Sequence, residues 1–518
     1  MSHARAQGAC LFGATAELVT VEASFEPADL KRCELTLSGL PDPVLRESKN
    51  RLACALAGVG LALPVGRLHV NLLPAALPKR GELLDLPLAL CCAAAAGYLD
   101  PRALEGLLWM GELGIDGNLH DVPGGLAVAE AGRRAGFPRL VAPPKTAAEA
   151  AHLPRSVVFA ARHLGEALRI ATDPKSVPIG KPRSQMKHPD QQNLARVRGQ
   201  ALGRHALAVA AAGEHGLLFH GPPGTGKSLL ARALPDLLPV PTLEERIEIT
   251  QVQSAAGAWP GELVRSRPFR SPHHTTSYAG LVGGGNPPRP GEITLAHRGV
   301  LFLDELPEFR RETLEALRQP LETGRIVVSR AGERADLPAA FQLVAAMNPC
   351  PCGYRGSGSG RCRCSRSQIE RYWNRLSGPL LDRIDLHVEL PSPDLADLAA
   401  GRDPDADSDA PSNPGLAAAK HLSKQVRDAH ARAAERQRGR PNRSLDADEL
   451  DQFCPMRGEA RRILKRAAID YGLSARAIQS LRRVARTLAD LAGREQVQAT
   501  DLAEALALRG GSPLQTAG

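Results

Sequence analysis

Eight consecutive residues, Gly221-Pro-Pro-Gly-Thr-Gly-Lys-Ser228, have the types and spacing of a loop that cradles phosphates. Gly221, Gly224 and Gly226 let the backbone turn tightly and aim N–H groups at phosphate oxygens, and Pro222, Pro223 and Thr225 complete the turn. Lys227 is placed to reach the β- and γ-phosphates of a nucleoside triphosphate, and the Ser228 hydroxyl to ligate Mg2+. The apolar run Leu217-Leu218-Phe219 leads in and Leu229–Ala233 opens a helix behind, whose N-terminus adds partial positive charge. Some 77 residues beyond Lys227, Val300-Leu-Phe-Leu-Asp304-Glu305 is an apolar strand ending in two acids. Asp304 would hold Mg2+ through its water shell, and Glu305 would orient and polarise an attacking water. Together these residues could bind and hydrolyse a nucleoside triphosphate.

A second constellation is built from sulfur. Cys350-Pro-Cys352 and Cys362-Arg-Cys364 stand nine residues apart around a Gly- and Ser-rich loop. Two close pairs of thiolates can form a tetrahedral site for Zn2+. A redox-sensitive pair and unpaired loop thiols are the other readings. The remaining cysteines, at 10, 33, 54, 91, 92 and 454, read as small core residues.

Three blocks must position these groups. Residues 10–170 mix short β-like runs with helical ones and read as α/β; 193–390 carry the phosphate loop; 419–510 are helical, with apolar residues at three- and four-residue steps over Arg476–Leu491. Residues 171–192 and 391–418 read as linkers, the second disordered around its alternating acids at 403–409. Gly324–Pro338 alternates about Ala331-Gly332 and predicts a β-hairpin with Arg330 and Arg334 beside its tip. In a ring pore it would suit gripping a polymer; otherwise it is a solvated hairpin.

The 518 residues carry a net charge of +9, unevenly spread: 420–518 hold 19 basic against 12 acidic residues, and 301–419 hold 14 against 18. The basic blocks are either solvated faces or contacts for nucleic-acid phosphates. No run reaches 18 apolar residues and no leader pattern opens the chain, so a cytosolic protein with no membrane partner is expected, its cysteines reduced or metal-bound.

Arg267-Pro-Phe-Arg-Ser-Pro-His-His-Thr-Thr-Ser-Tyr-Ala-Gly-Leu-Val-Gly-Gly-Gly285 and Pro290–Phe309 closely resemble the ComM/YifB-type magnesium-chelatase-like AAA+ proteins. Asn348-Pro-Cys-Pro-Cys-Gly353, Gly378–Leu386, Leu473–Gln479 and Gly39–Pro43 match the same family, so the resemblance runs along nearly the whole chain. It implies an AAA+ α/β ATPase core with a C-terminal helical lid, ATP and Mg2+ as ligands, and a homo-hexamer. The implied activity is a helicase that drives branch migration of recombination intermediates in natural transformation, on DNA without sequence specificity and in company with a recombinase. It also implies that Asn348 sits between Asp304 and the γ-phosphate, that Arg383 is the finger reaching a neighbouring subunit's nucleotide, and that Arg476 is a second sensor. The alternatives are a capping Asn348, an Arg383 paired with Asp382 or Asp385, and a helix-surface Arg476. His273-His274 read as a pore-loop or substrate contact, or as part of a structural loop.

The first block also resembles the Lon-protease-type domain, through Leu68–Leu72, Lys79–Gly81, Met110–Ile115 and Val122–Leu126. Where that fold's serine nucleophile would fall stand Leu84-Asp85-Leu86, and where its lysine would fall stands Ala127. No peptidase activity is expected without them. Three functions compete: a DNA-translocating motor, a MoxR-like chaperone ATPase, and a metal-chelatase-type ATPase subunit.

Overall fold

The first sheet opens with a long hairpin, Ser2–Phe12 (β1) against Thr15–Pro27 (β2), pairing Ala6 with Val21. The computed structural model describes residues 2–39, 43–77, 79, 82–173, 175–180, 192–197, 199–259, 261–285, 289–330, 333–358, 360–392 and 414–510. β1 starts ahead of the expected residue-10 boundary. Its sequence, SHARAQGACLF, lacks β-branched residues, and pairing with β2 makes it a strand. Glu34–Ser38 (β3), Gly66–Leu73 (β4), Leu107–Trp109 (β5), Arg139–Ala142 (β6) and Val157–Ala160 (β7) complete a mixed sheet in the order β3-β4-β2-β1-β5-β6-β7. The helices Pro43–Gly58 (α1) and Asp85–Ala95 (α2) pack on it, and every residue of α2 is buried.

Gly125–Arg134 (α3) joins this unit to the next. Val128 and Leu126 share a core with Ile247 and Leu263 of the following unit, and Gly124 N donates to Ser254 Oγ at 2.9 Å.

The second sheet is parallel. Leu217–His220 (β8), Phe269–Arg270 (β9), Val300–Leu303 (β10), Gln342–Met347 (β13) and Leu386–Glu389 (β14) lie in the order β9-β10-β13-β8-β14. The hairpin strands Arg325–Arg330 (β11) and Glu333–Pro338 (β12) stand apart; their tip, residues 331–332, lies outside the described residues. Alternation sorts the central strands between two cores. Leu217, Phe219, Val300, Phe302, Val344 and Ala346 face Ala201–Gly213 (α4), while Leu218, Leu301, Leu303, Leu343 and Ala345 face Ile293, Phe309 and Trp373.

Two further helices, Lys227–Ala233 (α5) and Leu243–Ala255 (α6), follow β8. The C-terminal unit is helical: Pro414–Gln437 (α7), Gly458–Asp470 (α8), Ala475–Leu491 (α9) and Ala499–Arg509 (α10). α7 begins inside the span expected as a linker; residues 393–413, with the disorder expected there, and 181–191 of the first linker lie outside the described residues. Leu481, Val484, Ala485 and Leu488 of α9 bury into the same core as α4. At about 1.5–3 kcal/mol for each large side chain removed from water, this stripe fastens the helices to the sheet.

Candidate nucleotide-binding site

Strand order places the chemistry. β13 lies between β8 and β10, so the carboxyl ends of the three strands stand side by side. These ends carry the phosphate loop, Asn348 and Asp304. The loop conformation is one that glycine alone adopts freely: Gly224 and Gly226 have φ of +81° and +85°, and a Cβ on Gly221 would lie 2.4 Å from Leu390 O. The Thr225 hydroxyl, buried, donates to Pro222 O at 3.1 Å.

Lys227 Nζ donates to Gly221 O at 2.7 Å, Pro222 O at 2.9 Å and Asn348 Oδ1 at 3.3 Å. Burial lowers its pKa, against the opposing pull of Asp304. Ser228 Oγ donates to Asp304 Oδ2 at 2.7 Å, so a hydroxyl and a carboxylate converge as hard oxygen donors. That donor set fits Mg2+, which Ser228 and Asp304 would hold with the phosphates of a nucleotide.

Glu305 follows with φ of +52°, a left-handed conformation that costs a non-glycine residue about 1–2 kcal/mol. Its carboxylate Oε2 meets His274 Nδ1 at 3.1 Å. The His273 ring lies 4.1 Å from that of His274, and His273 Nδ1 is 2.9 Å from Thr275 Oγ1. The histidine pair expected as a substrate contact therefore touches the acid expected to orient water. Nothing in the sequence signals a contact across 31 residues.

The four sulfurs of Cys350, Cys352, Cys362 and Cys364 lie within 4.8 Å of one another, immediately beyond Asn348.

The two arginines lie elsewhere. Arg383 Nη2 donates to Glu322 Oε2 at 2.6 Å, and Arg476 Nη2 donates to Glu322 Oε1 at 3.0 Å. The pairing of Arg383 with Asp382 or Asp385 is replaced by this shared carboxylate, whose pKa is lowered first by the hydrogen bond from Arg383 and then by the two positive charges. Both arginines line a cavity of about 660 Å³, together with Gly299, Gln342 and Asp385 at or beside the amino ends of β10, β13 and β14. Four strand residues, about 13 Å of sheet, separate that edge from the phosphate loop of the same chain. Glu322 was not signalled by any motif; it becomes visible only when the two arginines meet on it.

Asp385 anchors α9 to this edge. Its carboxylate accepts from Ser480 Oγ at 2.5 Å and pairs with His215 Nδ1 at 3.0 Å, and His215 Nε2 reaches Thr487 Oγ1 at 2.8 Å. Burial alone would raise the Asp385 pKa, but hydrogen bonding to His215 and Ser480 outweighs it and holds the group low.

In the first unit, Leu84, Asp85, Leu86 and Ala127 are all buried. Asp85 Oδ2 accepts from Arg51 Nη2 at 2.9 Å and from Leu113 N at 3.2 Å, a structural use of the carboxylate.

Models of the magnesium chelatase subunit ChlI match residues 193–398, of its C-terminal part 417–509, and of subunit ChlI of Mg-chelatase 21–146. The chain is 39% identical over 482 residues to the uncharacterized protein YifB of Salmonella typhimurium, covering 92% of this chain and 91% of that one. It is 38% identical over 522 residues to the competence protein ComM of Haemophilus influenzae, covering 98% of each. Its likeness to the magnesium-chelatase 67 kDa subunit of Chlorobaculum parvum is 27% over 155 residues, 29% of this chain and 22% of that one. Matched over nearly its whole length by such relatives, the chain belongs to the ComM/YifB family of magnesium-chelatase-like proteins.

Proposed function

We propose that this protein is an ATP-hydrolysing AAA+ motor that works as a hexameric ring on DNA and drives branch migration of recombination intermediates. The observation that carries the reading is the placement of Arg383 and Arg476 on Glu322, at the sheet edge opposite their own phosphate loop. Arginines so placed serve a phosphate on another subunit, which is what a ring supplies. Lys227 and the loop amides bind the nucleotide, Glu305 orients water, and Asn348, bonded to Lys227, sets the geometry between them. Mg2+ held by Ser228 and Asp304 would neutralise developing phosphate charge.

DNA as the substrate is supported by the basic C-terminal block, by the hairpin β11–β12 and by a relative named for competence. The helical unit acts as the lid, tied to the core through Asp385 and Ser480. The first unit is a Lon-like scaffold or DNA-binding element without peptidase chemistry, since Leu84-Asp85-Leu86 and Ala127 stand where nucleophile and base would fall. We place the protein in the cytoplasm, where a recombinase would supply its branched substrate; among the described residues no helix is long and apolar enough to cross a membrane. The test is strand exchange on a synthetic three- or four-way DNA junction with ATP. Junction resolution that requires ATP and is lost in Lys227→Ala supports the motor. A junction left intact by active ATPase would shift the reading to a MoxR-like chaperone or a chelatase-type subunit.

A further inference from the structure

We propose that Cys350, Cys352, Cys362 and Cys364 bind one Zn2+ and that this centre is a clasp fixing Asn348 against the phosphate loop. The sulfur geometry is that of a metal site. Cys350 and Cys352 Sγ lie 3.3 Å apart, Cys350 and Cys362 3.8 Å, and Cys352 and Cys362 3.7 Å. A disulfide needs about 2.0 Å, whereas tetrahedral zinc with Zn–S near 2.3 Å separates its sulfurs by about 3.8 Å. An all-sulfur set excludes Mg2+ and Ca2+, which take oxygen.

The surroundings suit a dianionic Zn–thiolate centre. Arg355, Arg361 and Arg363 bring positive charge within the loop, and Arg361 lies 5.8 Å from the centre of the Tyr354 ring. Gly353, Gly356, Gly358 and Gly360 all have left-handed φ, between +65° and +83°. A loop with that much glycine has little to pack and much chain entropy to lose, so a cross-link would fix it.

The site's position gives the clasp its purpose. Cys350 is two residues beyond Asn348 and is buried. A Cβ on Gly353 would come 3.0 Å from Pro223 Cγ, so the cysteine turn rests directly on the phosphate loop. Beyond Cys364, Ser365 caps the helix Arg366–Trp373. Trp373 returns to donate Nε1–H to Pro349 O at 3.1 Å, and its ring meets His220 edge-on at 5.7 Å. His220 is the last residue before Gly221. Four ligands thus close a circuit from Asn348 through the metal and the helix back to the strand that carries the phosphate loop.

The test measures metal and nucleotide separately on the full chain, so it is independent of any activity on DNA. Purified wild-type protein is expected to retain one zinc per chain by elemental analysis, as is Cys54→Ser, which changes a thiol outside the cluster that is exposed and not the core residue its sequence suggests. The double variant Cys362→Ser/Cys364→Ser should lose it and bind a fluorescent ATP analogue at least several-fold more weakly. Should that variant fail to fold, growth with Co2+ in place of zinc should give wild-type protein the absorption bands of tetrahedral cobalt–thiolate. Metal-free wild-type protein that binds added Zn2+ no better than the double variant would overturn the site, as would stoichiometric iron. Chelator-stripped protein with undiminished ATP affinity would overturn the clasp.

Discussion

His274 Nδ1 lies 3.1 Å from Glu305 Oε2. This contact engages the carboxylate assigned to the attacking water, so the histidine competes with that water. His274 belongs to the loop before Tyr278–Val282, which leads through the two-residue strand Gly283–Gly284 to the region of the hairpin β11–β12. DNA bound at the hairpin, as proposed above, would have a physical route to Glu305. We expect His274→Ala to raise hydrolysis without DNA by up to about 5-fold, the value of a partly exposed ion pair. The ratio of rates with and without DNA should shrink. Steady-state ATPase assays check this, and an unchanged ratio would dismiss the coupling.

Arg383 and Arg476 predict complementation between inactive subunits. Lys227→Ala lacks nucleotide binding but keeps its arginines, and Arg383→Ala keeps the phosphate loop. Lys227→Ala alone should hydrolyse almost no ATP, and Arg383→Ala alone at least about 1,000-fold less than wild type, the lower end of the range by which arginine fingers act. Mixed, they should regain part of the rate, because an intact loop then faces an intact arginine. A mixture as inactive as its components would show that the arginines act within their own chain.

Stability should fall on acidification through a definite window. Burial, with the Lys227 charge adding to it, pushes the His220 imidazole down to about 4, and burial pushes His387 down to about 3. An unfolded histidine titrates near 6.5. Each depressed value therefore contributes stability that is full above about pH 6.5 and lost as the pH falls toward the folded pKa. For His220 the stability lost is about 3 kcal/mol, the gap between 6.5 and about 4 taken at about 1.36 kcal/mol per pH unit. Thermal unfolding at pH 7, 6, 5 and 4 should show a falling midpoint, and His220→Gln should flatten the fall. A midpoint indifferent to pH above 4 would contradict it.

Binding to DNA should depend steeply on salt and little on sequence. Phosphate contacts by basic residues release counterions, and a site with six or more of them loses about 1,000-fold in affinity between 50 and 200 mM salt. Arg330→Ala/Arg334→Ala on the hairpin should reduce the slope by about 1–2. Fluorescence anisotropy with unrelated sequences of equal length measures both, and a salt-independent affinity would count against phosphate recognition.

The phosphate loop was legible because its eight residues are contiguous and each does a local job. Asp304 was legible because it ends an apolar strand and Asn348 because it opens a matched motif, although only the strand order shows that they are neighbours. Glu322 and the His274–Glu305 contact were not, because each joins residues 31 or more apart and depends on tertiary placement. β1 is not legible for another reason: its alanines and glycine carry no strand preference, and only the partner strand gives it one. The arginines were found by motif, but their place at the far edge of the sheet comes from the fold.

Hydrolysis driven by DNA is what separates a DNA motor from a chaperone ATPase or a chelatase subunit. ATP turnover of the purified chain is followed with and without branched DNA, beside Glu305→Gln. We predict strong stimulation by the branched DNA in wild type, and a variant that binds ATP without turning it over. Turnover equal with and without DNA, or a Glu305→Gln protein as fast as wild type, would contradict the account.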